Sequence, residues 1–331
     1  MKALVIGAAG MVGRKLCERL AKDGSLAGRA IAALDMVDVI APTAPADAAF
    51  KVTTGAVDIA DPATAPKLAA GRHDVIFHLA AIVSGEAEQN FDKGYAINLD
   101  GTRWLLEALR QENLKSGGTY RPRVVFTSSI AVFGAPFPDP IGDEFFHQPL
   151  TSYGTQKAIG ELLLSDYTRK GFLDGIAIRL PTICVRPGKP NAAASGFFSN
   201  IIREPLAGQE AVLPVAETVM HWHASPRAAV GFLLHAARID GDKVGPRRAL
   251  TMPGVGVTVE QQIEALRRIA GEKVVARIRR EPDPAIMKIV AVHSIAGELK
   301  NLNDRSCVEK PPADMVAMAW QIASNHDMPQ T

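Results

Sequence analysis

Tyr153 and Lys157 stand four positions apart in Tyr153-Gly-Thr-Gln-Lys157, and Ser129 precedes them on what reads as a separate strand end. On a helix the first two share a face, so the ammonium sits beside the phenol and lowers its pKa from roughly 10 toward neutrality. Tyr153 then becomes a usable acid or base, and a serine delivered from another element hydrogen-bonds the same substrate oxygen. Such chemistry on a carbon bearing a hydroxyl needs a hydride acceptor, which a dinucleotide fold upstream would supply.

The elements that must position these groups are readable from periodicity. Lys2–Ile6, the glycine turn Gly7-Ala-Ala-Gly10-Met-Val-Gly13 and the amphipathic Met11–Ala21 read as strand, turn and helix. Ala30–Leu34 is a second apolar run ending at Asp35, and Val75–Leu79, Val124–Phe126 and Ile176–Leu180 are further runs of strand length. Helical patterning covers Phe91–Glu112 and Ser152–Arg169. This βα alternation predicts an α/β fold, a doubly wound, mainly parallel sheet whose ligand crevice lies at the carboxyl ends of the strands. Beyond Pro181 the texture changes, with Pro187, Gly188 and Pro190 breaking the chain. A Rossmann domain over 1–181 and a smaller α/β substrate lobe over 182–331 are therefore expected, with a segment near 225–252 returning to the first. In the lobe, Phe197–Ala207 and Pro226–Ala237 read as helices, Arg248–Met252 as a strand, and Thr258–Ala270 as a helix with Thr258 at its N-cap. Asn325–Thr331 is expected to fray.

Gly7, Gly10 and Gly13 lie directly between a strand and a helix, the context that turns a common spacing into a dinucleotide site. Gly7 permits the tight turn, Gly10 lets backbone amides approach a pyrophosphate, and Gly13 lets the helix pack close to the sheet. Asp35 follows at nearly the spacing expected of an acid that accepts the adenosine ribose hydroxyls. A carboxylate there repels a 2′-phosphate, and Met36, Val37 and Asp38 offer no arginine to hold one, so NAD is expected rather than NADP. Asp58 and Ile59 either cap the adenine or form a plain turn. His78-Leu79-Ala80-Ala81 ends a strand with the small residues that a passing cofactor requires, although small residues also suit a sheet core.

Composition excludes other classes. The 331 residues are 47% hydrophobic, and 37 Lys and Arg against 35 Asp and Glu leave a net charge of +2, with no basic patch for nucleic acid. Three scattered cysteines, Cys17, Cys184 and Cys307, have neither disulfide nor zinc spacing, which fits a reduced, cytoplasmic setting. The apolar opening meets Gly7 too soon for a signal segment or a membrane span. His221-x-His223 lacks a third ligand, so no metal is expected.

Together, Gly7/Gly10/Gly13, Asp35, Asp58-Ile59, His78-Leu-Ala-Ala81, Asn98, Thr127-Ser128-Ser129 with Val132-Phe133-Gly134, and Tyr153-x-x-x-Lys157 resemble the extended short-chain dehydrogenase/reductase superfamily over nearly the whole chain. The resemblance implies that Ser129, rather than Ser128, is the catalytic serine. It implies that Tyr153 as phenolate takes the substrate proton, that Lys157 lowers the tyrosine pKa and holds the nicotinamide ribose, and that Asn98 binds on the cofactor side or relays protons. It adds Met11, Val12, Leu79, Thr127, Pro181 and Thr182 to the cofactor set. A homodimer paired through the helices around Phe91–Glu112 and Ser152–Arg169 is also implied.

Dehydratases of that superfamily carry an Asp-Glu pair, and decarboxylases a glutamate, directly after the catalytic hydroxyl residue. Here Ile130-Ala131 follows, leaving epimerisation or plain alcohol oxidation. The run from Arg179 to Pro214 resembles the branch containing D-erythronate dehydrogenases, whose members are often labelled as nucleoside-diphosphate-sugar epimerases. Oxidation of a small sugar acid at C2 by NAD is the activity this implies; a nucleotide-sugar epimerase or dehydrogenase and a non-catalytic NAD sensor are the alternatives. A sugar acid calls for a cation and polar groups, for which Ser84, Arg186, Asn191 and Ser195 are candidates beside Ser129 and Tyr153, with His223 and Arg227 as others. Arg179 reads as a possible tie between the two lobes.

Overall fold

The structure, a computed structural model, describes residues 1–137, 141, 145–188, 193–284 and 286. Asn191, Cys307 and Asn325–Thr331 lie outside the described residues. Two compact units divide the chain. One comprises Met1–Val132, Thr151–Leu180 and Ala229–Met252, and the other Phe133–Leu150, Pro181–Ala228 and the chain from Pro253 onward.

The first unit is built on a seven-stranded sheet. Its strands in chain order are β1 (Lys2–Ile6), β2 (Ala33–Asp38), β3 (Lys51–Ala56), β4 (Val75–His78), β5 (Arg123–Ser129), β6 (Asp174–Leu180) and the short Ala249–Thr251. Across the sheet the order is Ala249–Thr251, β6, β5, β4, β1, β2, β3, and every pairing is parallel. The strands read as unbroken apolar runs because both faces are covered: Ala3, Leu4, Val5 and Ile6 are all buried, as are Ile76, Phe77, Val124, Val125 and Ile178. The chain leaves β1 toward β2 and β3 and returns on the other side as β4. The order therefore reverses between β1 and β4, which is where open α/β sheets bind ligands.

The second strand departs from expectation. It runs over Ala33–Asp38, whereas Ala30 belongs to a short hairpin of Ser25–Leu26 and Arg29–Ala30. The apolar run does not stop at Asp35, because Met36 and Val37 continue the ladder opposite Val5 and Ile6.

The helices that matter for the site are α1 (Met11–Asp23), α2 (Gly101–Lys115) and α3 (Ser152–Arg169), the last with the bounds expected from sequence. The expected single helix over Phe91–Glu112 is instead a helical turn at Phe91–Gly94, a π-helical turn at Tyr95–Asp100, and α2. Thr151 caps α3, its Oγ1 accepting from the Gly154 N–H at 3.0 Å. Glycine lets α3 lie close beneath the end of β5: a Cβ on Gly154 would stand 2.1 Å from the Ala131 carbonyl oxygen, and one on Gly160 2.8 Å from the buried Phe126 ring.

The second unit has its own core of Phe197, Phe198, Ile201, Ile202, Leu213, Val259, Ile263, Leu266 and Ile278. Met220–Ala224 lies between parallel Thr182–Ile183 and antiparallel Val255–Thr258, and Ala211–Leu213 pairs with Ile278–Arg280. Thr258 caps the helix Val259–Ala270 through a reciprocal capping box with Gln261. No helix among the described residues is long and apolar enough to cross a membrane.

Candidate active site

The glycine turn between β1 and α1 is a cradle that side chains would fill. Gly7 has φ +92°, and a Cβ there would meet the Ala80 nitrogen at 2.6 Å and the Leu79 carbonyl carbon at 2.8 Å. The turn therefore presses against the chain leaving β4, at the point where the strand order reverses. A Cβ on Gly13 would stand 2.1 Å from the Gly7 carbonyl oxygen, so only glycine lets α1 start so close to β1. No side chain caps α1 at Gly10 and no acid lies in its first turn. The amides of Met11, Val12 and Gly13 are thus presented at a helix N-terminus, a ready site for a pyrophosphate.

The acid at the mouth of this cradle is Asp38, and the expectation for Asp35 is corrected. Asp35 sits opposite Leu4 within β2. Its Oδ2 lies 2.7 Å from Nε2 of buried His73, which precedes β4 at the amino end of the sheet, away from the glycine turn. Asp38 ends β2, and its Oδ2 accepts from the Ala9 N–H of the turn at 2.9 Å while Oδ1 accepts from Val39 at 2.7 Å. The signal was present in the sequence, since Met36-Val37 carries the strand three residues past Asp35. Asp58 forms an Asx turn, its Oδ1 accepting from the Ala60 N–H at 2.8 Å, and Ile59 is buried.

Lys157 is held inside the first unit. It is 1% exposed, its Nζ donates to the Thr127 carbonyl at 2.8 Å, and the same nitrogen stands 4.7 Å from the Phe126 ring centroid and 5.7 Å from that of Tyr153. Burial is the main influence on the ammonium and pulls its pKa down to about 7, opposed by the Glu161 carboxylate. The Thr127 hydroxyl donates to the His78 carbonyl at 3.1 Å. His78, with Nε2 2.9 Å from the Thr102 hydroxyl, is pushed down to about 3 by burial and then by the Lys157 charge, so it is neutral.

The two adjacent serines have different surroundings. Ser128 is buried and its hydroxyl donates to Glu161, which is paired with Arg179. Ser129 closes β5, and its partly exposed Oγ accepts from the Ala131 N–H at 3.1 Å, immediately before the turn on which Gly154 of α3 packs. The glycine contact thus brings the Ser129 turn to the end of α3 that carries the partly exposed Tyr153. Arg179 pairs with Glu161 inside the first unit, Nη2 to Oε2 at 2.8 Å.

Asn98, buried in the π-helical turn, is occupied by protein. Its carboxamide oxygen accepts from the Ile82 N–H at 2.9 Å, and its nitrogen donates to the Ile82 carbonyl at 3.3 Å and to Gln156 Oε1 at 2.8 Å. It pins the loop after β4 to α3, and single π-helical turns of this kind are frequent at functional sites. Ala81 and Ser84 lie in and after that loop and are partly exposed. Gln156 and Glu161, the partners that organise this face, were missed from sequence.

The second unit carries the remaining expected residues. Arg186 donates from Nη2 to Ser195 Oγ at 3.0 Å and from Nε to the Ile183 carbonyl at 3.0 Å. Thr182, next to Pro181, places its hydroxyl 2.7 Å from His221 Nε2. His223 is buried edge-on to Phe198 with Nε2 3.1 Å from Gln262 Nε2, and burial, then Arg186, push its pKa down to about 3. Its imidazole is therefore neutral. Arg227 is exposed. Among the described residues no group of three or more His, Cys, Asp or Glu could hold a metal ion.

The sequence profile of the NAD dependent epimerase/dehydratase family matches residues 3–225. The chain belongs to that family. It is an NAD-dependent oxidoreductase of the extended short-chain dehydrogenase/reductase type, and the cradle of β1, α1 and β4 fits the cofactor. A protein of Cupriavidus necator named D-erythronate dehydrogenase is 47% identical over 88% of each chain. The D-erythronate dehydrogenase of Haemophilus influenzae is 41% identical, covering 88% of this chain and 89% of its own. The crystal structure of the nucleoside-diphosphate-sugar epimerase from Agrobacterium tumefaciens superposes with a TM-score of 0.89 at 63% identity, covering 96% of this chain and 92% of that one.

The buried ammonium has a stability consequence. With a folded pKa near 7 against an ordinary 10.5, the unfolded chain binds more protons between those values, so Lys157 opposes folding at neutral pH and its penalty shrinks as pH rises toward 10.5. Lys157→Met is expected to raise the melting temperature at pH 7, to flatten its rise with pH above 7, and to abolish turnover. Thermal melts at stepped pH check this.

Proposed function

We propose that this chain oxidises D-erythronate at C2 to 2-dehydro-D-erythronate with NAD. The observation that carries the reading is the pair of relatives named D-erythronate dehydrogenase, each spanning 88% of this chain, together with a serine, a tyrosine and a buried lysine gathered at the end of β5. NAD, when bound, accepts the hydride from the carbinol carbon. Tyr153 takes the proton of the C2 hydroxyl, so the C–H and O–H bonds of the substrate become a carbonyl. Ser129 donates a hydrogen bond that holds the reacting oxygen. Lys157, fixed on the Thr127 carbonyl, keeps positive charge beside the phenol. Asp38, in place of Asp35, takes the adenosine ribose hydroxyls, and the amides at the start of α1 take the pyrophosphate.

Ile130 and Ala131 follow the serine where dehydration or decarboxylation would need further acids and bases, which favours simple oxidation. A nucleotide-sugar epimerase is the second reading, favoured by the 63% identity to the Agrobacterium protein of that name. A homodimer through α2 and α3 is supported by the outward-facing Leu114 and Leu162, both more than half exposed.

Purified protein with NAD and D-erythronate is expected to generate the NADH absorbance. Silence toward four-carbon aldonates, with thermal protection by UDP- or dTDP-sugars, would select the second reading instead. Tyr153→Phe should lower kcat by about 10²–10⁴-fold with NAD binding retained. Asp38→Asn should weaken NAD binding by about tenfold or more, the loss expected when a charged acceptor is removed, whereas Asp35→Asn leaves NAD affinity unchanged. Fluorescence titration of NAD against both variants separates the two acids.

A further inference from the structure

Lys157 poses a physical problem: it must be cationic to act on Tyr153, yet it is almost wholly removed from water. Glu161 lies one turn further along α3, on the same buried face as Lys157, and is 1% exposed. Its carboxylate is held from two strands. The Ser128 hydroxyl of β5 donates to Oε1, and Arg179 of β6 donates from Nε to Oε1 at 3.0 Å and from Nη2 to Oε2 at 2.8 Å. Among the described residues, Tyr153 on its own helix and neutral His78 on β4 also face Lys157. On β5 it meets the Thr127 carbonyl and the Phe126 ring, and Arg179 is reached through Glu161.

We propose that Glu161 is a positioning residue that favours the charged form of Lys157 beside Tyr153, with Arg179 and Ser128 holding its carboxylate in place. A lone buried carboxylate favours its protonated form, and the two-point contact with Arg179 opposes that while fixing the carboxylate one turn from Lys157. The Coulomb attraction from Glu161 raises the Lys157 pKa against the larger effect of burial. Ser128 and Ser129 thereby divide the labour of adjacent positions, one bracing the charge that serves the lysine and the other turned toward the reacting oxygen. The inference rests on the roles of Tyr153 and Lys157 proposed above, and it is independent of the substrate.

The test is an ultraviolet difference titration of the full chain without cofactor or substrate, following phenolate absorbance. The chain has four tyrosines. Burial raises Tyr120 and Tyr167 above their ordinary range, and subtracting the Tyr153→Phe titration isolates the Tyr153 step. Glu161→Gln is expected to move that step up by about one pH unit, and Glu161→Asp to leave it near the wild-type position. A folded Glu161→Gln protein whose Tyr153 step coincides with wild type overturns the proposal. If Glu161→Gln does not fold, Glu161→Leu with Arg179→Met removes both buried charges together; because the lost Arg179 cation offsets part of the effect, a smaller upward shift supports the proposal and an unmoved step overturns it. Should Lys157→Met also leave the step unmoved, the proposed role of Lys157 falls with it, whereas failure to oxidise D-erythronate would leave the titration result standing.

Discussion

The site depends on one hydrogen bond made in the absence of water, from the Lys157 ammonium to the Thr127 carbonyl. It ties α3 to the carboxyl end of β5 and so fixes where Tyr153 stands relative to Ser129. Burying that cation opposes folding, and the surrounding features read as the means of tolerating it. The Phe126 ring face lies under the nitrogen, neutral His78 adds no competing charge, and Glu161 supplies a counter-charge braced by Arg179. The glycines of α3 serve the same end, because a longer gap between helix and strand would put the carbonyl out of reach.

Much of this was legible in the sequence. The bounds of α3, the cap at Thr258 and the strand–glycine–helix opening follow from patterns that local chemistry dictates, and the tyrosine–lysine spacing names a helix face without further help. The choice of Ser129 over Ser128 rested on resemblance; the structure gives the two hydroxyls different partners, Glu161 for Ser128 and the Ala131 N–H for Ser129.

What was not legible depended on register or on partners distant in the chain. Asp35 looked like the end of a strand because a charged residue interrupted an apolar run. Only pairing with β1 reveals that Met36 and Val37 still belong to the ladder and that Asp38 meets the glycine turn. The same limit applies to Arg179, whose partner Glu161 lies on α3 of its own unit, and to Asn98, whose carboxamide is consumed by Ile82 and Gln156. A buried polar residue announces that it has a partner but not which one. His223 was one of the candidates for the substrate, and only the structure shows its imidazole packed edge-on to Phe198.

The central claim is that the hydrogen lost from C2 of the sugar acid leaves as hydride while Tyr153 takes the hydroxyl proton. The most direct measurement uses D-erythronate carrying deuterium at C2, with mass and proton NMR analysis of the reduced cofactor. Deuterium recovered on the nicotinamide, together with a slowed turnover, is the predicted result. Unlabelled reduced cofactor, or retention of the label at C2 with no reduced cofactor formed, would contradict it.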